Sequence, residues 1–303
     1  MTPPRAIAAK ALTVAVIGGG RVGGALGKLL AREGYRVVAV AGRTRRSAAS
    51  AARFIGAGEP TADAAAAASR AAIVLITVPD REIRGVCERI ARAGGFRRGC
   101  LVAHASGAHT RELLDAAREA GGLRAVLHPL QAVPSRALGV ANIPGSCFRT
   151  EADRGARARV RALVRALGGT ELSLPGWEGG PQSAALYHAG AVAASNYLVT
   201  LLDFASRLLR ALGADRRQAL RAVLPLVRGT LANVERLGIP AALTGPIARG
   251  DAATVAGHVA ALRARAPELL PLYLLLARET VPLAREKGGL PGGTDAEILR
   301  IVK

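Results

Sequence analysis

Residues 13–27 read Thr-Val-Ala-Val-Ile-Gly-Gly-Gly-Arg-Val-Gly-Gly-Ala-Leu-Gly, and the order of residue types in them decides the fold. Thr13–Ile17 is an apolar, β-branched run of strand length, and Gly23–Glu33 carries the apolar spacing of a helix. Between them Gly18, Gly20 and Gly23 fit GxGxxG. The first glycine permits a tight turn, the second lets a phosphate approach the backbone, and the third lets helix and strand pack closely. A helix N-terminus offers unpaired N–H groups to an anion. In this strand–turn–helix context the loop, with Arg21 and Val22, implies a site for the pyrophosphate of a dinucleotide.

Outward from that unit, Arg36–Ala41, Ala72–Val78, Cys100–His104 and Arg124–Leu127 read as further strands. Helical patterns at Ser47–Phe54, Asp80–Ala93 and Thr110–Ala120 separate them, which predicts βαβ units and a parallel sheet. Beyond about Gly145 the pattern turns to long helical stretches: Asp153–Leu167, Pro181–Leu212, Asp215–Leu237, Asp251–Ala264 and Glu268–Lys287. The last is expected to kink or break near Pro271 and Pro282. The predicted organisation is an α/β nucleotide-binding domain over residues 1–145, then an all-α domain over 146–303 for substrate and dimer contacts.

Half of the 303 residues are hydrophobic and 21% are charged, which excludes disorder over most of the length. With 3% aromatics, the core must be aliphatic. The net charge of +20 invites a nucleic-acid reading. However, lysine occurs only at Lys10, Lys28, Lys287 and Lys303, so 38 of the 42 basic residues are arginine. They are scattered singly and not interleaved with aromatics, so no specific nucleic-acid partner is expected. Cys87, Cys100 and Cys147 form no CxxC pair and no even set, as expected of reduced thiols in the cytoplasm. The apolar run from Ala11 mimics a leader but enters the glycine cluster and Arg21 without a small-x-small site. Residues 179–202 lack formal charge, yet carry Gln182, Ser183, Tyr187, His188, Ser195, Asn196 and Thr200, so a buried helix is expected and no membrane contact. No HExxH, cysteine pair or carboxylate cluster points to a metal.

Five further segments locate the chemistry. After the second strand, Arg43, Thr44, Arg45 and Arg46 stand where an NAD site usually carries a carboxylate. Guanidinium and hydroxyl groups there suit a 2′-phosphate, so NADP is the implied cofactor. Three strand ends should open onto the nicotinamide: Thr77-Val78-Pro79-Asp80, His104-Ala105-Ser106-Gly107 and His128-Pro129-Leu130-Gln131. Ser106 and His128 could relay a proton there, whereas Asp80 is expected to be an N-cap. In the helical region Arg249 could hold a carboxylate, and Asp251 reads as the N-cap of the next helix. His109 and His258 receive no role.

Taken together, Ile17–Gly23, Thr77–Asp80, His104–Gly107, His128–Gln131, Tyr187–Leu198 and Leu243–Asp251 resemble a family of NADP oxidoreductases. That family pairs an N-terminal Rossmann-like domain with a C-terminal helical domain of unknown function. It is related to the 6-phosphogluconate, 3-hydroxyisobutyrate and prephenate dehydrogenases, ketopantoate reductase and pyrroline-5-carboxylate reductase. The resemblance implies a Rossmann-type parallel sheet and hydride transfer to or from a small carbonyl or imine, a 2-oxoacid such as ketopantoate being one case. Many relatives carry Lys and Asn at i, i+4 on the first long helix of the second domain; here that helix has no lysine. His188 is the natural replacement as acid or base, since an ordinary imidazole titrates near neutrality. At 100° per residue Ser195 lies about 20° from His188, Asn196 is about 80° to one side, and Tyr187, about 100° away, reads as packing. Ser195 and Asn196 would then orient the substrate. The long apolar helices imply a homodimer through the helical domain. The alternative is a non-catalytic NADP-binding sensor or scaffold.

Overall fold

A computed structural model describes residues 12–288 and 290–303, so Lys10 and Ala11 of the leader-like run lie outside the described residues. The first unit begins with β1 (Thr13–Ile17), α1 (Arg21–Arg32), β2 (Arg36–Ala41), α2 (Arg45–Ile55), β3 (Glu59–Thr61), α3 (Ala64–Ala68) and β4 (Ile73–Ile76). It continues through α4 (Asp80–Arg92), β5 (Leu101–His104), α5 (Asp115–Glu119), β6 (Leu123–Pro129), α6 (Arg136–Asn142), β7 (Cys147–Ala152), α7 (Arg157–Ala166) and β8 (Thr170–Glu171). The eight strands form one sheet in the order β3-β2-β1-β4-β5-β6-β7-β8, parallel except for the β6–β7 pair. Strand order therefore reverses on either side of β1, which opens a crevice at the carboxyl ends of β1 and β4.

Alternation along β1 shows how the sequence builds the layers. Val14 and Val16 join Leu26, Leu30 and Ile55 on one face, while Ala15 and Ile17 join Ile83, Cys87 and Ile90 on the other. With both faces covered, the strands read as continuous apolar runs, and helices pack on each side. Truncating Leu26 or Leu30 to Ala would cost about 2–5 kcal/mol, since both are buried in this layer.

The helix expected over Asp153–Leu167 forms as α7, but it packs with β7 and β8 in the first unit, which extends to Ala193. The boundary at 145/146 thus marks a change of sequence pattern, while compactness changes about 48 residues later. The long α8 (Gly180–Arg210) is followed by α9 (Arg216–Leu237), α10 (Ala252–Arg265), α11 (Leu270–Lys287) and α12 (Thr294–Ile301). The second unit, Ala194–Lys303, is helical around two small aliphatic clusters, one centred on Val255, Val281 and Ile298, the other on Leu262 and Leu269. The last long helix, expected to kink or break near its two prolines, runs without interruption from Leu270 to Lys287. Pro271 sits in the first turn of α11, where its missing N–H costs nothing, and Pro282 is carried inside the helix. No helix among the described residues is long and apolar enough to cross a membrane.

Candidate active site

A cleft of about 830 Å³ opens at the β1/β4 switch point, lined by Gly18, Gly19, Gly20, Arg43, Ser47, Thr77, Val78, Pro79 and Arg136 among others. Each motif glycine has a distinct reason. Gly18 has φ +95°, and a Cβ there would lie 2.8 Å from the Val78 nitrogen. A Cβ on Gly23 would lie 2.1 Å from Thr77 Oγ1 and 2.3 Å from the Gly18 carbonyl. Around Gly20, by contrast, nothing stands within 4 Å of the Cβ position, so the backbone is open to a ligand. Gly20 caps α1 without a side chain and the first turn holds no acidic residue, so nothing on the protein side competes for an anion there. Arg21 and Val22 open that turn, Arg21 exposed and Val22 half-buried.

The β2 end divides its expected residues. Arg43 is exposed and lines the cleft. Thr44 instead caps α2: its Oγ1 accepts from the Ser47 amide at 3.2 Å, and Ser47 Oγ donates back to the Thr44 carbonyl at 2.8 Å. Ser47 reaches the cleft, while Thr44 and Arg45 do not line it. The physical reason is positional: a hydroxyl one residue before a helix satisfies an orphan amide first.

The β5 and β6 ends carry a polar cluster. Ser106, 4% exposed, donates through Oγ to Asp80 Oδ2 at 2.8 Å. With that proton committed, His109 Nδ1, 2.9 Å away, is the donor to Ser106 Oγ. Asp80 is therefore no N-cap; Pro79 holds that position, and the carboxylate fixes Ser106 instead. His109, given no role from sequence, is part of the cluster. His104 accepts from the Ser106 amide through Nδ1 at 3.1 Å, so its Nε2 donates to the Thr110 carbonyl at 2.9 Å, a neutral imidazole fully satisfied.

His128 and His188 converge on Gly107. A Cβ there would stand 2.8 Å from His128 Nε2 and 3.0 Å from His188 Cδ2. Tyr187, read as packing, instead joins its hydroxyl to His128 Nδ1 at 2.9 Å and meets that ring edge to face. Under them lies Arg149, 2% exposed, directly opposite His128 in the antiparallel β6–β7 register. Its guanidinium donates to the carbonyls of Gly107 at 3.1 Å and His109 at 3.0 Å and to Glu151 at 3.2 Å. It also lies 4.8 Å from the Trp177 ring centroid and 5.6 Å from that of Tyr187. Its Nε is buried without a partner. Sequence reading missed Arg149, which is one arginine among 38.

Burial pushes His128 down to about 4, helped by the charges of Arg149 and His188. Burial likewise pushes Tyr187 up to about 12. Near pH 7 the His128–Tyr187 pair is neutral. His104 is also pushed down to about 4, chiefly by burial. A histidine with a lowered folded pKa stabilises the fold fully above its unfolded value near 6.5 and loses that contribution as pH falls toward 4. For His104 the loss is on the order of 3 kcal/mol. Urea midpoints measured from pH 7 to pH 4 should fall steeply for the native chain and less steeply for His104→Asn. Equal slopes would contradict the burial argument.

Ser195, half-buried, and Asn196, exposed, lie further along α8 in the second unit. Arg249 closes a short 3₁₀ turn there and is exposed, and Asp251 caps α10 by accepting from the Thr254 amide at 3.0 Å, as expected.

Comparison with known proteins agrees with this architecture. Residues 2–129 match a Rossmann-like domain, and residues 146–280 match a domain of unknown function, DUF2520. The chain therefore carries a Rossmann-like parallel sheet in its N-terminal part, followed by a mostly helical region that matches the DUF2520 model. A solved structure from Bacteroides fragilis, described as a "putative NADP oxidoreductase", superposes with a TM-score of 0.72 at 24% identity, over 90% of this chain and 99% of that one. A Thermotoga maritima protein gives 0.65 at 23% identity, over 90% and 97%. A reductive aminase from Aspergillus terreus, solved with NADPH and ethyl levulinate, gives 0.60 at 18% identity, over 95% and 98%. No curated protein sequence matches the chain.

Proposed function

We propose that this protein is an NADP(H)-dependent oxidoreductase acting on a small carbonyl or imine. The observation that carries the reading is the Gly20 cradle at the switch point, open to a phosphate, with Arg43 where a carboxylate would otherwise select NAD. The bound cofactor would supply or accept a hydride at nicotinamide C4. The α1 N-terminus and Gly20 would hold its pyrophosphate, and Val78 and Pro79 would line its path. His188 would give the proton to the substrate oxygen or nitrogen, with the neutral His128–Tyr187 pair and the anchored Ser106 shaping the space beside it. Ser195, Asn196 and Arg249 are proposed substrate ligands, each tested by the KM of its alanine variant. A 2-oxoacid such as ketopantoate is one proposed case, motivated by Arg249 as a carboxylate partner.

A screen of NADPH oxidation against 2-oxoacids and cyclic imines tests the reading. Turnover that disappears in both His188→Ala and His128→Ala supports an enzyme. NADPH binding with no turnover of any compound would favour the alternative, a sensor or scaffold that binds NADP and needs no proton donor.

We also propose a cytoplasmic homodimer built through the helical region. On α8 and α9, Leu186 is 77% exposed, Val199 66% and Leu226 73%, a large apolar exposure for a lone chain. Light scattering at micromolar concentration should give twice the mass of 31.1 kDa. A monomer mass would refute it.

A further inference from the structure

We propose that Arg136, reaching from α6 across the start of α1, is a second guanidinium that reads a 2′-phosphate on the adenosine ribose, together with Arg43 in the lining of the same cleft. This rests on the cofactor reading above and adds a residue from outside the glycine loop and the β2 end. Ser135 caps α6 by accepting from the Leu138 amide at 3.1 Å, so Arg136 leaves a fixed helix start. Its stem lies flat over Gly24, where a Cβ would meet its Cδ at 2.9 Å and its Cγ at 3.0 Å. The guanidinium then lines the cleft, with Nε donating to the Gly20 carbonyl at 3.3 Å and Nη1 to Ser50 Oγ at 3.2 Å. Those two bonds are long, and a guanidinium has five donors, so several remain for an anion. Among the described residues Arg136 forms no ion pair. Of the carboxylates that line the cleft, Asp63 caps α3 through Oδ1, and Glu82 lies 3.5 Å from Arg81 at the exposed start of α4. Arg136 is thus a positive group with spare donors, held between the glycine loop and α2. A dianionic phosphomonoester is the ligand that best matches two guanidinium groups.

The test is calorimetric titration of the full chain with adenosine 2′,5′-bisphosphate and with adenosine 5′-monophosphate. The native chain should prefer the bisphosphate by about tenfold or more. Arg136→Gln should lose most of that preference while 5′-monophosphate affinity changes by less than about twofold. Gly24→Ala, which pushes the Arg136 stem aside and leaves every motif glycine in place, should lose part of it. If Arg136→Gln weakens both nucleotides equally, Arg136 is only a brace between Gly20 and Ser50, and the inference fails while the NADP reading stands. An unchanged preference overturns it likewise. If the native chain shows no preference, the NADP reading itself fails and this inference with it.

Discussion

Replacing His188 by glutamine should lower turnover by on the order of 10²–10⁴-fold while NADPH affinity stays nearly unchanged, the range expected on removing an acid–base group. His128 and His188 meet beside Gly107, and Tyr187 is joined to His128. His128 is pushed to about 4 and carries no proton to give near neutrality. Tyr187 is pushed to about 12 and keeps its proton throughout the working range. That leaves His188, half-buried on α8 beside Gly107, as the proposed proton donor. The three alternatives separate cleanly. A rate flat from pH 5 to 9 that collapses in Tyr187→Phe would make the tyrosine the donor. Collapse in His128→Gln with survival in His188→Gln would move the role to the β6 end. Survival in both histidine variants would leave them structural.

The second large effect lies in the glycine loop, where two substitutions should fail for different reasons. In Gly23→Val the new side chain meets Thr77 Oγ1 and the Gly18 carbonyl at distances no atom tolerates, so α1 must move away from β4. Overpacking of this kind costs about 1–3 kcal/mol, and NADPH binding should weaken with it. Gly20→Ala meets nothing within 4 Å, so no neighbouring group has to move. Its Cβ would stand where the proposed site receives the pyrophosphate, and NADPH affinity should fall by about tenfold or more. Urea unfolding and calorimetry on both variants check this pairing. Native NADPH affinity in Gly20→Ala would show that the loop is not the phosphate site.

The β1–loop–α1 unit was legible because local chemistry dictates it: strand residues, three spaced glycines and an apolar-periodic helix admit one arrangement. The strand ends holding Val78, Ser106 and His128 followed from the alternation of elements. What sequence could not show was decided by pairing across the sheet. Cys147–Ala152 mixes polar and apolar residues, and Thr170–Glu171 is too short for any period, so β7 and β8 have no signal of their own. Arg149 acquires its place only through the antiparallel register that sets it against His128. Tyr187 was misplaced because helical-wheel angles measure direction about one helix, whereas α8 meets the strand ends at its first turns, where neighbouring residues can reach the same pocket. Asp80 leaves its expected cap to hold Ser106, and Thr44, expected at the cofactor, also caps α2.

The most direct measurement is calorimetric titration of the native chain with NADPH and with NADH. Arg43 in the cleft and the absence of a carboxylate at the β2 end require that NADPH bind at least about tenfold tighter, near 1.4 kcal/mol. Equal affinities, or no binding of either, would contradict the assignment.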